Sequence, residues 1–152
     1  MAITASGLYF PSFEDIVDND SAIDLAADTH KVALFTNSLT APNFGTDTAY
    51  GSAPYNANEV GSPSGGVALS SVTVTLDTSS GVRLKFDAAD TAWGSQSISG
   101  IRGALIYDDT ITTPVADPVL CLVDLTTDYA VTSGVFTLQW ASGGIFYLQL
   151  AS

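Results

Sequence analysis

At 152 residues and 46% hydrophobic content, the chain is sized for one domain and can bury a core. Charged residues make up 13%, about half the usual share, so Ser, Thr, Gly, Ala and Asn must supply much of the surface. Sixteen acidic residues against four basic ones give a net charge of −12. That charge argues against nucleic acid and anionic membrane as partners, and it makes copies of the chain repel at long range, which leaves short-range apolar contact as the means of self-association.

The single cysteine, Cys121, stands in an apolar run and reads as a small core residue. One thiol excludes an intramolecular disulfide and a multi-thiolate metal site. The opening M-A-I-T-A-S-G has neither a basic segment nor a long apolar one, and no apolar run reaches the ~18 residues of a membrane span. Synthesis in a cytosol without export machinery is the expectation.

Residues 1–11 read as an arm or edge segment whose aromatics, Tyr9 and Phe10, need something to pack on. Ser12 precedes Asp15 by three in a capping-box-like start, and Phe13, Ile16 and Val17 have helical spacing. A short helix is predicted over 12–19, with an acidic first turn that suits the helix dipole and an end at Asn19-Asp20. H-K-V-A-L-F-T, residues 30–36, is the first strand. The stretch 37–66 is rich in Pro, Gly, Asn, Ser and Tyr, with a short strand or helical turn expected near 57–60. A connection of this length is often functional.

Residues 67–77 and 81–87 form a predicted hairpin, with Leu76:Val82, Val74:Leu84 and Val72:Phe86 opposed on one face. Arg83 and Lys85 fall on the other face, either as charged guards against edge pairing or as a dock for an acidic partner. Residues 87–93 turn into a Trp93 that should be buried. A strand over 101–107 and a loop to 118 lead to V-L-C-L-V-D-L, 119–125, which is apolar on both faces. Val119, Cys121, Val123 and Leu125 lie on one face, and Leu120 and Leu122 on the other. It reads as a central strand, covered by a second sheet on one side and by the helix or a neighbouring subunit on the other. The end of the chain, residues 134–150, alternates Phe136, Leu138 and Trp140, then Phe146, Leu148 and Leu150, around Ser142-Gly143-Gly144. Parity predicts a closing hairpin with Trp140:Phe146, Leu138:Leu148 and Phe136:Leu150 opposed, and a glycine in the left-handed region of its loop. The fold class is all-β, an antiparallel β-sandwich or jelly-roll-like barrel of about eight strands with one short N-terminal helix. The expected organisation is an arm over 1–11 and a single domain over 12–152 with the long loop at 37–66.

Chemistry is sparse. The lone histidine, His30, opens a strand and reads as a surface or strand-end residue rather than a base. No G-x-S-x-G occurs, since residues 61–65 have the wrong spacing, and Gly65-Gly66 lacks the lysine of a phosphate loop. Asp18-Asn19-Asp20 with Asp24 resembles the start of a calcium loop, but Ile23 stands where glycine is needed and Thr29 where the closing Glu belongs. Asp87 with Asp90, and Asp108 with Asp109, read as turn residues. No catalytic residue, metal ligand or cofactor is predicted. Phe44, Tyr50 and Tyr55, with Asn56 and Asn58 beside them, can either stack on sugar rings or fold back over the sandwich or a neighbouring subunit.

Five segments come in a familiar order: H-K-V-A-L-F-T-N-S-L-T-A-P-N-F (30–44), F-D-A-A-D-T-A-W (86–93), G-A-L-I-Y-D-D (103–109), P-V-L-C-L-V-D-L (118–125) and F-T-L-Q-W-A-S-G-G-I-F-Y-L-Q-L (136–150). Together they resemble a family of small virion proteins of tailed bacteriophages, whose members carry V-A-L-L-T-like, F-D-A-D-D-x-x-W-like and W-x-x-x-G-I-x-x-L-like pieces in that order. The chain departs from the family in its longer N-terminus, 1–11, and in the extended loop 37–66. The resemblance implies a non-enzymatic virion protein, made in the host bacterial cytoplasm. Its partners would be the major capsid protein or other virion proteins. Homo-oligomers are expected, trimers among them. Decoration or cementing of the capsid is the first function it suggests, and a tail or fibre component recognising a host-surface glycan is the alternative; a hydrolase is a distant third. Partner contacts are expected at Tyr9, Phe10, Phe44, Tyr50 and Tyr55.

Overall fold

The computed structural model describes residues 3–79 and 81–149. Nine strands and one helix follow in chain order: β1 (Gly7–Leu8), α1 (Phe10–Asp18), β2 (His30–Thr36), β3 (Glu59–Val60), β4 (Val67–Ala68), β5 (Thr73–Asp77), β6 (Arg83–Asp87), β7 (Thr91–Asp108), β8 (Val119–Leu138) and β9 (Phe146–Leu148). They form two antiparallel sheets. The larger runs β1-β8-β7-β2-β3, with β4 also paired to β2, and the smaller runs β5-β6-β9. Among the described residues this is an open sandwich with no closed barrel.

The frame of the larger sheet is the β7–β8 hairpin, whose ladder runs from Tyr107↔Val119 out to Thr91↔Leu138 through several bulges. The predicted strands over 101–107 and 119–125 are the inner halves of these two longer strands. β2 lies along β7 from His30↔Asp108 to Thr36↔Ile101.

Three neighbouring strands are apolar on both faces because the sheet is covered on both. Toward the smaller sheet, Val32, Leu34, Ile101, Ala104, Ile106 and Cys121 join Phe86 and Trp93 in one buried cluster. On the opposite face, Ala33, Phe35, Leu105, Tyr107, Val119 and Leu122 join a second cluster. That face is closed by the N-terminal segment and the long loop, through Ile3, Tyr9, Leu39, Tyr50 and Tyr55, and not by the helix. A register shift between Ile106 and Tyr107 inserts an extra residue in β8. Val119 and Leu120 therefore exchange the faces that strict alternation assigns them, as a bulge requires.

The closing hairpin does not form. Phe136 and Leu138 pair with Trp93 and Thr91 in the larger sheet, while Phe146 and Leu148 pair with Phe86 and Leu84 in the smaller one. Residues 139–145 cross from one sheet to the other. Period two sets which face a side chain takes but leaves the strand's partner open. The left-handed glycine is there: Gly144 has φ +89°, and a Cβ on it would stand 2.7 Å from the Phe86 carbonyl oxygen. The predicted pair Phe136:Leu150 involves a residue outside those described.

The β5–β6 hairpin forms with its predicted faces but shifted by two residues, as Val74↔Phe86, Leu76↔Leu84 and Asp77↔Arg83. The shift sets Arg83 against Asp77, at 2.7 Å, in place of a threonine. The helix starts two residues earlier than predicted. Pro11 occupies its first turn, Tyr9 precedes it without a side-chain cap, and no acid stands in the first turn. Ser12 is not a cap, because its hydroxyl donates to the Val119 carbonyl at 2.6 Å. The end is as predicted, with Asn19 in the left-handed region at φ 66°.

Phe86 is 1% exposed, stacks on Phe146 at 4.8 Å and joins the two sheets. Phe86→Ala is expected to cost about 3–5 kcal/mol of stability. Equilibrium urea unfolding checks this; a cost below 1 kcal/mol would show that the smaller sheet is not part of the core.

Candidate functional site

The five aromatics predicted as partner contacts divide into two groups. Tyr9 and Tyr55 are fully buried and Tyr50 nearly so; Phe44 is half-buried, and Phe10 is 68% exposed. Tyr9 packs against Phe44 at 5.1 Å and meets Tyr55 edge-on at 6.0 Å, and Tyr55 meets Phe35 of β2 in the same way. Tyr50 lies flat on Tyr107 of β7, with ring centroids 4.3 Å apart.

Their hydroxyls are equally engaged. Tyr55 donates to Asp47 Oδ2 at 2.5 Å, so Tyr9, 2.8 Å away, donates to Tyr55. Tyr50 donates to Glu59 Oε2 at 2.6 Å, and the same oxygen accepts the Gly65 N–H. Tyr107 donates to the Gly65 carbonyl at 2.6 Å. Burial first, and then the Asp47 and Glu59 carboxylates, push Tyr55 and Tyr50 well above the ordinary phenol value, and burial does the same for Tyr9 and Tyr107. All four remain protonated donors. Gly66, at φ +73°, ends the loop against β2, where any side chain would collide with the Val32 carbonyl. The loop is thus pinned as the second cover of the sheet by groups that a sugar would otherwise use. Phe10 is different: its ring projects from the start of α1, while its N–H donates to the Phe44 carbonyl at 2.8 Å.

His30 is at a strand end as predicted but is not at the surface. Both it and Asp108 are 0% exposed, with Nδ1 and Oδ2 3.4 Å apart. Nε2 lies 3.1 Å from the Leu25 carbonyl, which can only accept, so Nε2 carries a proton. Asp108 Oδ1 accepts the N–H groups of Thr110 and Ile111. Burial raises Asp108 above the ordinary carboxylate range, against the opposing effects of the Thr110 N–H and His30. The pair ties the start of β2 to the end of β7 and is sealed from any substrate. Asp87 ends β6, where it accepts the Ala88 N–H at 2.9 Å and pairs with Lys85; Asp90, just before β7, accepts the Trp140 N–H of the crossover at 3.0 Å. Asp18 and Asp24 accept backbone N–H groups of their own turns. Among the described residues, no three of His, Cys, Asp or Glu converge as a metal site. Cys121 is buried, and burial raises its thiol.

Each of the four basic side chains is in an ion pair: Lys31 with Asp109, Arg83 with Asp77, Lys85 with Asp87, and Arg102 with Asp124 and Asp128. Arg83 also lies over the Tyr147 ring, 4.6 Å from its centroid. The cations predicted as a dock for an acidic partner are therefore held within the chain. The hydroxyl pairings and the buried His30–Asp108 pair were beyond sequence reasoning, because their members are far apart in the chain and ordinary in type. No known protein family, curated protein or solved structure matches this chain.

Tyr55→Phe is expected to cost about 1–3 kcal/mol, because it leaves Tyr9 and Asp47 short of a partner. Urea unfolding measures this; unchanged stability would show that the hydroxyl chain is not structural. Asp77 is held well below the ordinary carboxylate range by Ser79 first and then Arg83. Its contribution is therefore present above about pH 4 and is lost as pH falls through the folded value. The stability difference between the wild type and Asp77→Asn should shrink on acidification from pH 6 to pH 3. A difference that stays constant over that range would contradict the assignment.

Proposed function

We propose that this chain is a non-enzymatic structural protein of a tailed-bacteriophage particle, and that it decorates the outer surface of the capsid. The observation that carries the reading is the ordered resemblance of five segments to small virion proteins of that kind. Those segments supply β2, the β6–β7 turn, the inner halves of β7 and β8, and the crossover to β9. They supply much of the larger sheet, whereas the described part of the departures, 3–11 and 37–66, covers the face of that sheet opposite the smaller one through buried residues of its own, Ile3, Tyr9 and Tyr55 among them.

The sealed His30–Asp108 pair and the engaged tyrosines are consistent with a domain built to be a stable body. Its partner is the major capsid protein or another virion protein. Of the five candidate aromatics, Phe10 is the one whose ring stands largely free to reach that partner. The unpaired carboxylates Glu14, Asp15, Asp18 and Asp20 follow it along α1 and just beyond, so the contact around Phe10 calls for cationic groups on the partner.

Particles assembled without this protein should form normally and lose head stability to heat or chelators, and Phe10→Ser should weaken its retention on the head. Heads of unchanged mass and heat resistance in its absence would contradict the proposal.

A further inference from the structure

The smaller sheet is longer than the core it covers. Val74, Phe86 and Phe146 are opposed across its three strands and all pack into the core between the sheets. Two residues further along each strand, on the same face, stand Leu76, Leu84 and Leu148, again directly opposed. This second row overhangs the larger sheet. Leu76 is 65% exposed, Leu84 48% and Leu148 37%, and Val82 beyond them is 70% exposed. Together with Arg83 and Gln149 they line a shallow groove of about 490 Å³. A contiguous apolar row on one element of a low-charge protein marks an interaction site.

We infer that this leucine row is a contact between two copies of the chain, packed row against row about a two-fold axis. The charge distribution selects that occupant. The smaller sheet carries Asp77 and Asp87 against Arg83 and Lys85, so it is neutral in a chain of net charge −12. Its cations are paired within the sheet. By contrast, residues 14–28 hold six carboxylates and no cation. Two such molecules repel over most approaches and meet at least cost through the neutral sheet. A cationic partner would be drawn to the acidic side instead. The row is also self-complementary: three leucines side by side across three strands, with Leu84 in the middle, map onto themselves under a two-fold rotation. Face-to-face packing at the ordinary sheet spacing of about 10 Å would extend the sandwich core into the partner. The contact concerns the molecule's own assembly and is independent of where on a particle it resides.

Light scattering on the full chain, over a concentration series, tests this. The mass should rise toward twice the 15.7 kDa monomer, and added salt should tighten the association by screening the repulsion between like-charged copies. Leu84→Asp should return the protein to monomer, and Val17→Asp, on the exposed face of α1, should leave the dimer intact. With Cys121 buried, Leu84→Cys introduces an accessible thiol at the two-fold axis and should form a disulfide-linked dimer on mild oxidation faster than Val17→Cys does. A wild type that stays monomeric, a Leu84→Asp variant that still associates, or a Leu84→Cys variant that cross-links no faster than Val17→Cys would each overturn the inference, and the cross-linking readout holds even if Leu84→Asp fails to fold.

Discussion

Three neighbouring strands that are apolar on both faces impose the main constraint on this molecule. β2 and the inner halves of β7 and β8 carry buried side chains up and down, so the sheet they form is stable only with two covers. One cover is the smaller sheet, joined through Phe86 and Trp93. The other is irregular backbone, the 37–66 loop with the N-terminal segment, which packs as a layer because its tyrosines bury their rings and place every hydroxyl on a partner. Buried loop backbone needs such partners. Tyr50 N donating to the Asp117 carbonyl, and Val119 N to that of Thr48, supply two of them.

This arrangement bears directly on function. A long aromatic loop in a β-sandwich reads naturally as a binding loop, yet here its aromatic faces and hydroxyls are used for folding. Among the described residues, the exposed surface includes unpaired carboxylates, the projecting Phe10 and the overhanging leucines of the smaller sheet.

Much of the fold could be read from short-range pattern. The bounds of β2, the buried Trp93 and Cys121, the end of α1 at Asn19 and the two-faced character of 119–125 all follow from alternation and turn chemistry. What could not be read depends on contacts distant in sequence. Alternation gives Phe136, Leu138, Phe146 and Leu148 a face, and a hairpin and a sheet-to-sheet crossover satisfy it equally well. In the β5–β6 hairpin, parity was right and register was off by two, because parity is blind to even shifts and the deciding contacts at the turn include the Asp77–Arg83 pair. The bulge that exchanges Val119 and Leu120 has no sequence mark. The tyrosines at 9, 50 and 55 were visible as candidates for burial or binding, and only the geometry of Asp47, Glu59 and Gly65 decides between those roles.

The most direct test of the two-cover account is native-state amide hydrogen exchange resolved to single residues. If the loop is a structural layer, the hydrogen-bonded amides of Tyr50, Tyr55 and Asn58 should be protected and should open together with those of β2, at a free energy close to that of global unfolding. Fast exchange at those loop amides, with β2, β7 and β8 still fully protected, would show that the sheet is stable with one cover and would contradict the account.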